Sequence, residues 1–232
     1  MGIKTSQCVR ALPETGGSVE AFVRTMEVGS RTCLAMANAA VSGFERMSPR
    51  LSARMLDAVE NVFAREGGGD VEAIQTAMLR EASTVIPTAH GQDDGAAGWL
   101  SLAIVEEGSV NVLWVGGDEV QLIPKQGDGD RTAGHTSGRE SRSAGVVPDI
   151  LTHGLGTGYE GALSRPSKRT WTVAPGDLII MLNRYLARMV TSKQVIEHAA
   201  LASMEALPQE LSQIHQIDVN NPFFAVLACK VS

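Results

Sequence analysis

Cysteine is scarce and scattered. The chain has three, Cys8, Cys33 and Cys229, with no CxxC pair among its 232 residues. That spacing excludes a disulfide framework and a zinc site built on paired thiols, and leaves reduced, packed cysteines as the expectation. A basic excess is also missing. Lys and Arg number 20 against 26 Asp and Glu, for a formal net charge of −6. A general nucleic-acid or anionic-membrane binder needs the opposite balance, so no nucleic-acid and no membrane partner is expected. No apolar run approaches the roughly 18 residues of a membrane span, and the longest, such as Phe223 to Cys229, are strand-sized. The first ten residues, MGIKTSQCVR, lack an apolar signal core, which sets the cytoplasm as the expected compartment. Internal repeats, a GxSxG elbow, an HExxH helix and a phosphate-binding P-loop are all absent.

What is present is ordinary globular composition, 44% hydrophobic and 20% charged, over a length that suits one domain. Residues 29 to 86 read as helices. Cys33, Leu34, Ala37, Ala40, Val41, Phe44 and Met47 fall at helical spacing, and Ser48 followed by Pro49 is a cap-then-proline start signal. Leu51, Met55, Val59, Val62 and Phe63 form the next apolar face. Glycines 67 to 69 stop it, and Asp70 can cap a helix carrying Val71, Ile74 and Met78.

Past His90 the period changes. Trp99 to Val105 and Val110 to Ile123 read as antiparallel strands joined by a turn at 106–109. Residues 125 to 147 carry almost no large apolar side chain and read as a flexible loop. Strands resume at Thr170 to Val173 and Leu178 to Leu182. One late helix follows from Thr191, with Gln194 in capping-box register, and a buried strand runs from Pro222 to Val231. This order makes a single α+β domain over 1–232.

Two short motifs are weak. Gly156, Gly158 and Gly161 match GxGxxG, but Pro166 arrives too soon for the helix that a dinucleotide site requires. His90, Asp93 and Asp94 could ligate a metal, yet their Gly-rich flanks favour an exposed turn. His198 and His215 sit in helical patterns, where packing or solvent contact suffices.

Seven blocks in order resemble one family. Residues 176–191, from Gly176-Asp177 through Asn183-Arg184-Tyr185-Leu186, resemble the ungapped GDxxLLxSDGLxDxxs segment of the metal-dependent PPM (type 2C) serine/threonine protein phosphatases. Leu151 to Gly156 resembles LTRALG, and Thr132 to Thr136 resembles TxDHS. Val112 to Leu122 resembles the GDSR block, Gly98 to Ile104 the GtT strand, Val9 to Thr15 the vRxxNED start and Asn220 to Val226 the terminal DN strand. The resemblance implies a PPM-phosphatase-like sandwich of two antiparallel β-sheets flanked by helices.

It also implies departures at the site. In that family, acidic groups on separate strands hold two divalent cations that activate water, chemistry that needs oxygen ligands. At the matching positions this chain keeps Glu14 but has Thr15, Thr25, Arg184 and Asn220, with the DGxGG loop placed at 25–29. One carboxylate does not hold two dications, so no metal or other cofactor is expected and turnover is expected to be lost. Arg10 matches the family arginine that contacts substrate phosphate, a task suited to guanidinium. The segment between His135 and Leu151 is too short for a packed flap. The implied function is a catalytically impaired pseudophosphatase that binds a protein partner, a Ser/Thr kinase or a phosphoprotein. The alternatives are a divergent active phosphatase that uses manganese or magnesium with Glu27, Asp118, Asp177 or Asp218, and a purely structural subunit. Pairing of Glu14 with Arg184 or Arg10 is the expected substitute for the cations.

Overall fold

A computed structural model of the chain describes residues 2–11, 17–41, 46–86, 96–132, 154–156, 165–217 and 223–232. In chain order, the first strands are β1 (Ile3–Ala11), β2 (Val23–Val28), β3 (Arg31–Val41) and β4 (Arg46–Met47). Helices α1 (Pro49–Glu66) and α2 (Val71–Thr84) follow. Next come β5 (Ala96–Glu106), β6 (Ser109–Val115), β7 (Glu119–Ile123), β8 (Asp130–Arg131), β9 (Leu155–Gly156), β10 (Ser167–Thr172) and β11 (Leu178–Leu182). The chain closes with α3 (Arg184–Ala187), α4 (Ser192–Leu201), α5 (Leu207–Gln213) and β12 (Phe223–Val231).

The strands form two antiparallel sheets. One runs β1-β12-β11-β7-β8; the other runs β10-β6-β5-β3-β2, with β4 on β3 and β9 on β5. Their inner faces meet in a cluster that includes Phe22, Leu34, Met36, Val112, Ile179 and Phe223. Helices α1 and α2 cover the outer face of the larger sheet through Met55, Val59, Phe63 and Met78. Helices α3 to α5 cover the outer face of the smaller one through Leu186, Val195 and Leu211. The result is four layers, helix–sheet–sheet–helix, with each sheet buried on both faces.

Caps fix the helix starts where the sequence placed them. Ser48 Oγ accepts the Leu51 N–H at 3.3 Å, with Pro49 in the first turn, and Asp70 Oδ1 accepts the Ala73 N–H at 2.9 Å. Thr191 and Gln194 form the reciprocal capping box.

The segment 31–41 is a strand, contrary to the helical reading. It lies between β2 and β5 and is buried on both faces, so it lacks the alternation that marks a half-buried strand. Its apolar run therefore matched a helical spacing by chance. Ala35, Ala37 and Ala39 face the α1–α2 layer, while Leu34 and Met36 face the second sheet. Small residues on one side let α1 approach the sheet closely.

Three further differences appear. The run from Val110 to Ile123 is interrupted at 116–118, where the chain leaves the larger sheet for the smaller. Among the described residues the late helical region holds three short helices rather than one, and α4 is the helix expected from Thr191. Within the expected loop, Asp130 and Arg131 pair with β7, and Thr132 is buried, its Oγ accepting the Val120 N–H at 2.9 Å. Residues 133–147, His90, Asp93, Asp94 and most of the GxGxxG stretch lie outside the described residues.

Candidate functional site

The sheet-to-sheet crossing at 116–118 builds the site. Gly116 has φ +111°, and a Cβ there would stand 2.1 Å from Cδ1 of Trp99, so the indole packs directly on this backbone. Trp99 on β5 is paired across the sheet with Asn38 on β3. Asn38 is 2% exposed, and Asp118, just past the glycines, 1%. Asn38 Nδ2 donates to Asp118 Oδ2 at 2.8 Å. The Arg184 backbone N–H donates to Asp118 Oδ1 at 3.0 Å. One carboxylate thus ties β3 of the larger sheet to the β11–α3 junction of the smaller.

Asn183 prepares that junction. Fully buried, it donates from Nδ2 to the Phe223 carbonyl at 3.1 Å. Its Oδ1 accepts the Ala225 N–H at 3.1 Å and the Leu186 N–H at 3.4 Å. It caps α3 and pins β12 in one step. The Arg184 guanidinium then lies 5.8 Å from the Trp99 ring centre and 5.1 Å from that of Tyr185, within cation–π range of both. Asn38 Oδ1, Trp99 Nε1 and Arg184 Nε are buried here without a hydrogen-bond partner among the described residues.

Burial dominates the electrostatics. It pushes the Asp118 carboxyl from the ordinary 3.8 up to about 7, against the opposing pull of the Arg184 N–H, the Asn38 amide and the Arg184 charge. Burial likewise raises the Tyr185 phenol, partly offset by Arg184 and Arg188.

The residues expected at the site distribute unevenly. Arg184 is there. Glu14, Thr15 and Asn220 lie outside the described residues, as does Asp218, so the expected Glu14–Arg184 pairing lies outside them as well. Thr25 sits on the edge strand β2 opposite Leu34, and residues 25–29 run into the β2–β3 hairpin turn. The β3 residue that meets Asp118 is instead Asn38, missed because its strand was read as helix. A lone amide in the apolar run 33–41 was the available signal. Arg10, opposite Phe224 on β1, donates to the Ser212 carbonyl of α5 on the outer face of the smaller sheet. No hydrogen bond joins it to Arg184 among the described residues.

Of the other carboxylates, Asp177 accepts the Lys125 and Ala174 N–H groups, both at 2.8 Å, and so organises a turn. Glu27 is exposed near the β2–β3 hairpin. Cys33 and Cys229 are buried free thiols, raised by desolvation, and Cys8 is a half-buried free thiol against α5.

No protein-family model matches the chain, and no curated protein matches it by sequence. Solved structures do. The chain is similar to the serine/threonine phosphatase of S. agalactiae, at a TM-score of 0.77 and 12% identity over 100% of both chains. It is also similar to the Mycobacterium tuberculosis serine/threonine phosphatase PstP, at 0.73 and 16% over 99% of both. The catalytic domain of PstP in complex with two manganese ions aligns at 0.70 and 14% over 100% of both. The chain has the fold of the PPM serine/threonine phosphatases: two antiparallel sheets between helical layers.

That fold implies a pair of divalent cations. The described side chains do not fit them. Both oxygens of Asp118 already accept protein N–H groups, its β3 neighbour presents an amide, and a guanidinium lies beside it. No three His, Cys, Asp or Glu side chains converge anywhere among the described residues. Hard dications need several oxygen donors, and this arrangement supplies one carboxylate flanked by hydrogen-bond donors.

Proposed function

We propose that the chain is a pseudophosphatase: a phosphatase-fold domain that binds a protein partner in Ser/Thr phosphorylation signalling, a kinase or its phosphorylated target, without metal-dependent turnover. One observation carries this reading, the contact of Asp118 with Asn38 and Arg184. It places an amide, a backbone N–H and a cation around the buried carboxyl, so its oxygens are committed to protein donors rather than to cations. With no cation pair to activate water, two-metal hydrolysis has no nucleophile. Binding can outlast the chemistry. Arg184 is half-buried, held by two aromatic rings, and a guanidinium recognises a phosphoryl group bidentately. Arg10 could serve the same purpose only by releasing the Ser212 carbonyl.

The test is a phosphate-ester and phosphopeptide assay in manganese, run beside a phosphothreonine-peptide binding titration. Silence in the assay with saturable peptide binding, weakened by Arg184→Ala, is expected. Metal-stimulated turnover would make the chain a divergent enzyme. Silence with no binding of peptide or kinase would make it a structural subunit.

A further inference from the structure

The two flanks of the sandwich are finished differently. On one, where β8 and β10 are the edge strands, side chains bridge the sheets. Trp171 Nε1 donates to Asp130 Oδ2 at 2.8 Å, and Arg169 pairs with the same carboxylate at 2.5 Å. Lys168 and Arg169 also place charge on the β10 edge, a common guard against strand addition.

The opposite flank, bounded by β1 and β2, has no such bridge between the sheets, and its charge sits on β2, as Arg24 and Glu27, and toward the ends of β1, as Lys4 and Arg10. Among the described residues no side-chain hydrogen bond or ion pair links β1 to β2. The β1 stretch from Thr5 to Val9 holds no charge and no proline.

Register fixes which backbone groups face outward there. Gly2 and Ser232 exchange both N–H···O bonds at 2.8 Å, and β1 then pairs residue for residue with β12. Hydrogen-bonded pairs alternate along an antiparallel ladder, so Lys4, Ser6 and Cys8 bond to β12 while Thr5, Gln7 and Val9 point N–H and C=O away from it. On β2, the Ala37 N–H donates to the Phe22 carbonyl at 3.0 Å. With the register Val23 to Met36, the outward groups are those of Val23, Thr25 and Glu27. Both edges open onto one groove of about 510 Å³, lined by 5–7 of β1 and 23–25 of β2.

The groove's chemistry selects its occupant. Ile3 and Val9 pack into the inter-sheet core, so the same alternation turns Thr5 and Gln7 toward the groove rather than toward α5. Polar side chains thus stand where a sealed sandwich would place apolar ones. At the rim, Glu20 and Glu60 line the groove with Arg24, and Arg24 is already taken by Asp57 at 2.6 Å and Glu60 at 2.5 Å. Three carboxylates surround one guanidinium.

We propose that this flank docks an extended, Lys- or Arg-bearing segment of a partner protein, which adds as a strand to β1 and sets its basic side chains against Glu20 and Glu60. The proposal goes beyond the pseudophosphatase reading and does not depend on it. Docking here would serve an active cleft equally well.

The test uses the full chain and a fluorescent peptide alternating Lys and Val, with a Glu–Val peptide as comparison. Anisotropy reads affinity, and amide hydrogen exchange reads the location. The expected result is saturable, salt-sensitive binding of the basic peptide alone, with slowed exchange at the Thr5 and Gln7 amides. Gln7→Pro removes one outward N–H without touching the β12 ladder, and should weaken binding about tenfold. Glu20→Lys, at an exposed position, should also weaken it and serves if the proline variant fails to fold. Four outcomes overturn the proposal. They are no binding, equal binding of the acidic peptide, protection on β10 instead, and protection of Thr5 and Gln7 without peptide as the protein self-associates. The last would assign the flank to a second copy of the chain.

Discussion

Asp118 carries an unusual share of the site's energetics, because its environment opposes its own charge. Its folded carboxyl titrates near 7 instead of 3.8, so between those values the folded state holds a proton that the unfolded chain has lost. Stability contributed by this group is therefore present at low pH, falls as pH rises through that window, and is level above it. Denaturant titrations across pH 4 to 8 should show this slope, and Asp118→Asn, which keeps an acceptor for the Arg184 N–H, should flatten it. A wild-type slope in the opposite direction, unchanged by the substitution, would refute the assignment. Arg184→Ala removes two ring contacts and the attraction that lowers the Asp118 carboxyl. It should cost about 1–2 kcal/mol in chemical denaturation and push that carboxyl still higher. Arg184→Asp alone should not give metal-stimulated turnover, since Asn38 and Asn220 remain non-acidic. Arg184 was legible from the sequence through its place in the Gly176–Thr191 segment. Asn38 was not, because its partner Asp118 is 80 residues away and only the register of β3 brings the two together.

At the scale of elements, local chemistry was legible wherever it was self-contained. Ser48 before Pro49, Asp70 after three glycines, and Thr191 with Gln194 each state a helix start within four residues, and the structure places helices at all three. Strand β3 has no such local statement. Its identity comes from two sheet neighbours and two covering layers, which turn an alanine-rich stretch into a central strand. The alanines have a packing purpose that can be tested. Ala37 is fully buried beneath the α1–α2 layer, and Ala37→Leu should overpack that contact and lower stability by about 1–3 kcal/mol in denaturant titrations. An unaffected midpoint would mean the α1–β3 contact has room for the larger side chain. Gly116 is equally constrained: an alanine there meets both a positive φ and the Trp99 ring. Gly116→Ala should cost about 2 kcal/mol or more and alter Trp99 fluorescence, since the indole must move.

For the whole molecule, the sandwich was legible from the order of seven short blocks rather than from any one of them, and no single block exceeds what a common turn or strand could supply. Helices α3 and α5 were harder to read because each is one or two turns long and gains its stability from the sheet beneath it. The same layering is what the proposed loss of metal chemistry would leave standing. One apolar layer holds the two sheets together, two more seat the helices on their outer faces, and at the junction Asp118 bonds to both sheets through Asn38 and the Arg184 backbone, so on the proposed reading no cation is needed to staple them. Calorimetric titration of the full chain with manganese tests that account most directly. The expected result is no saturable heat beyond dilution. Tight, stoichiometric manganese binding that disappears on Glu14→Ala would contradict it and restore a metal-dependent site to the cleft.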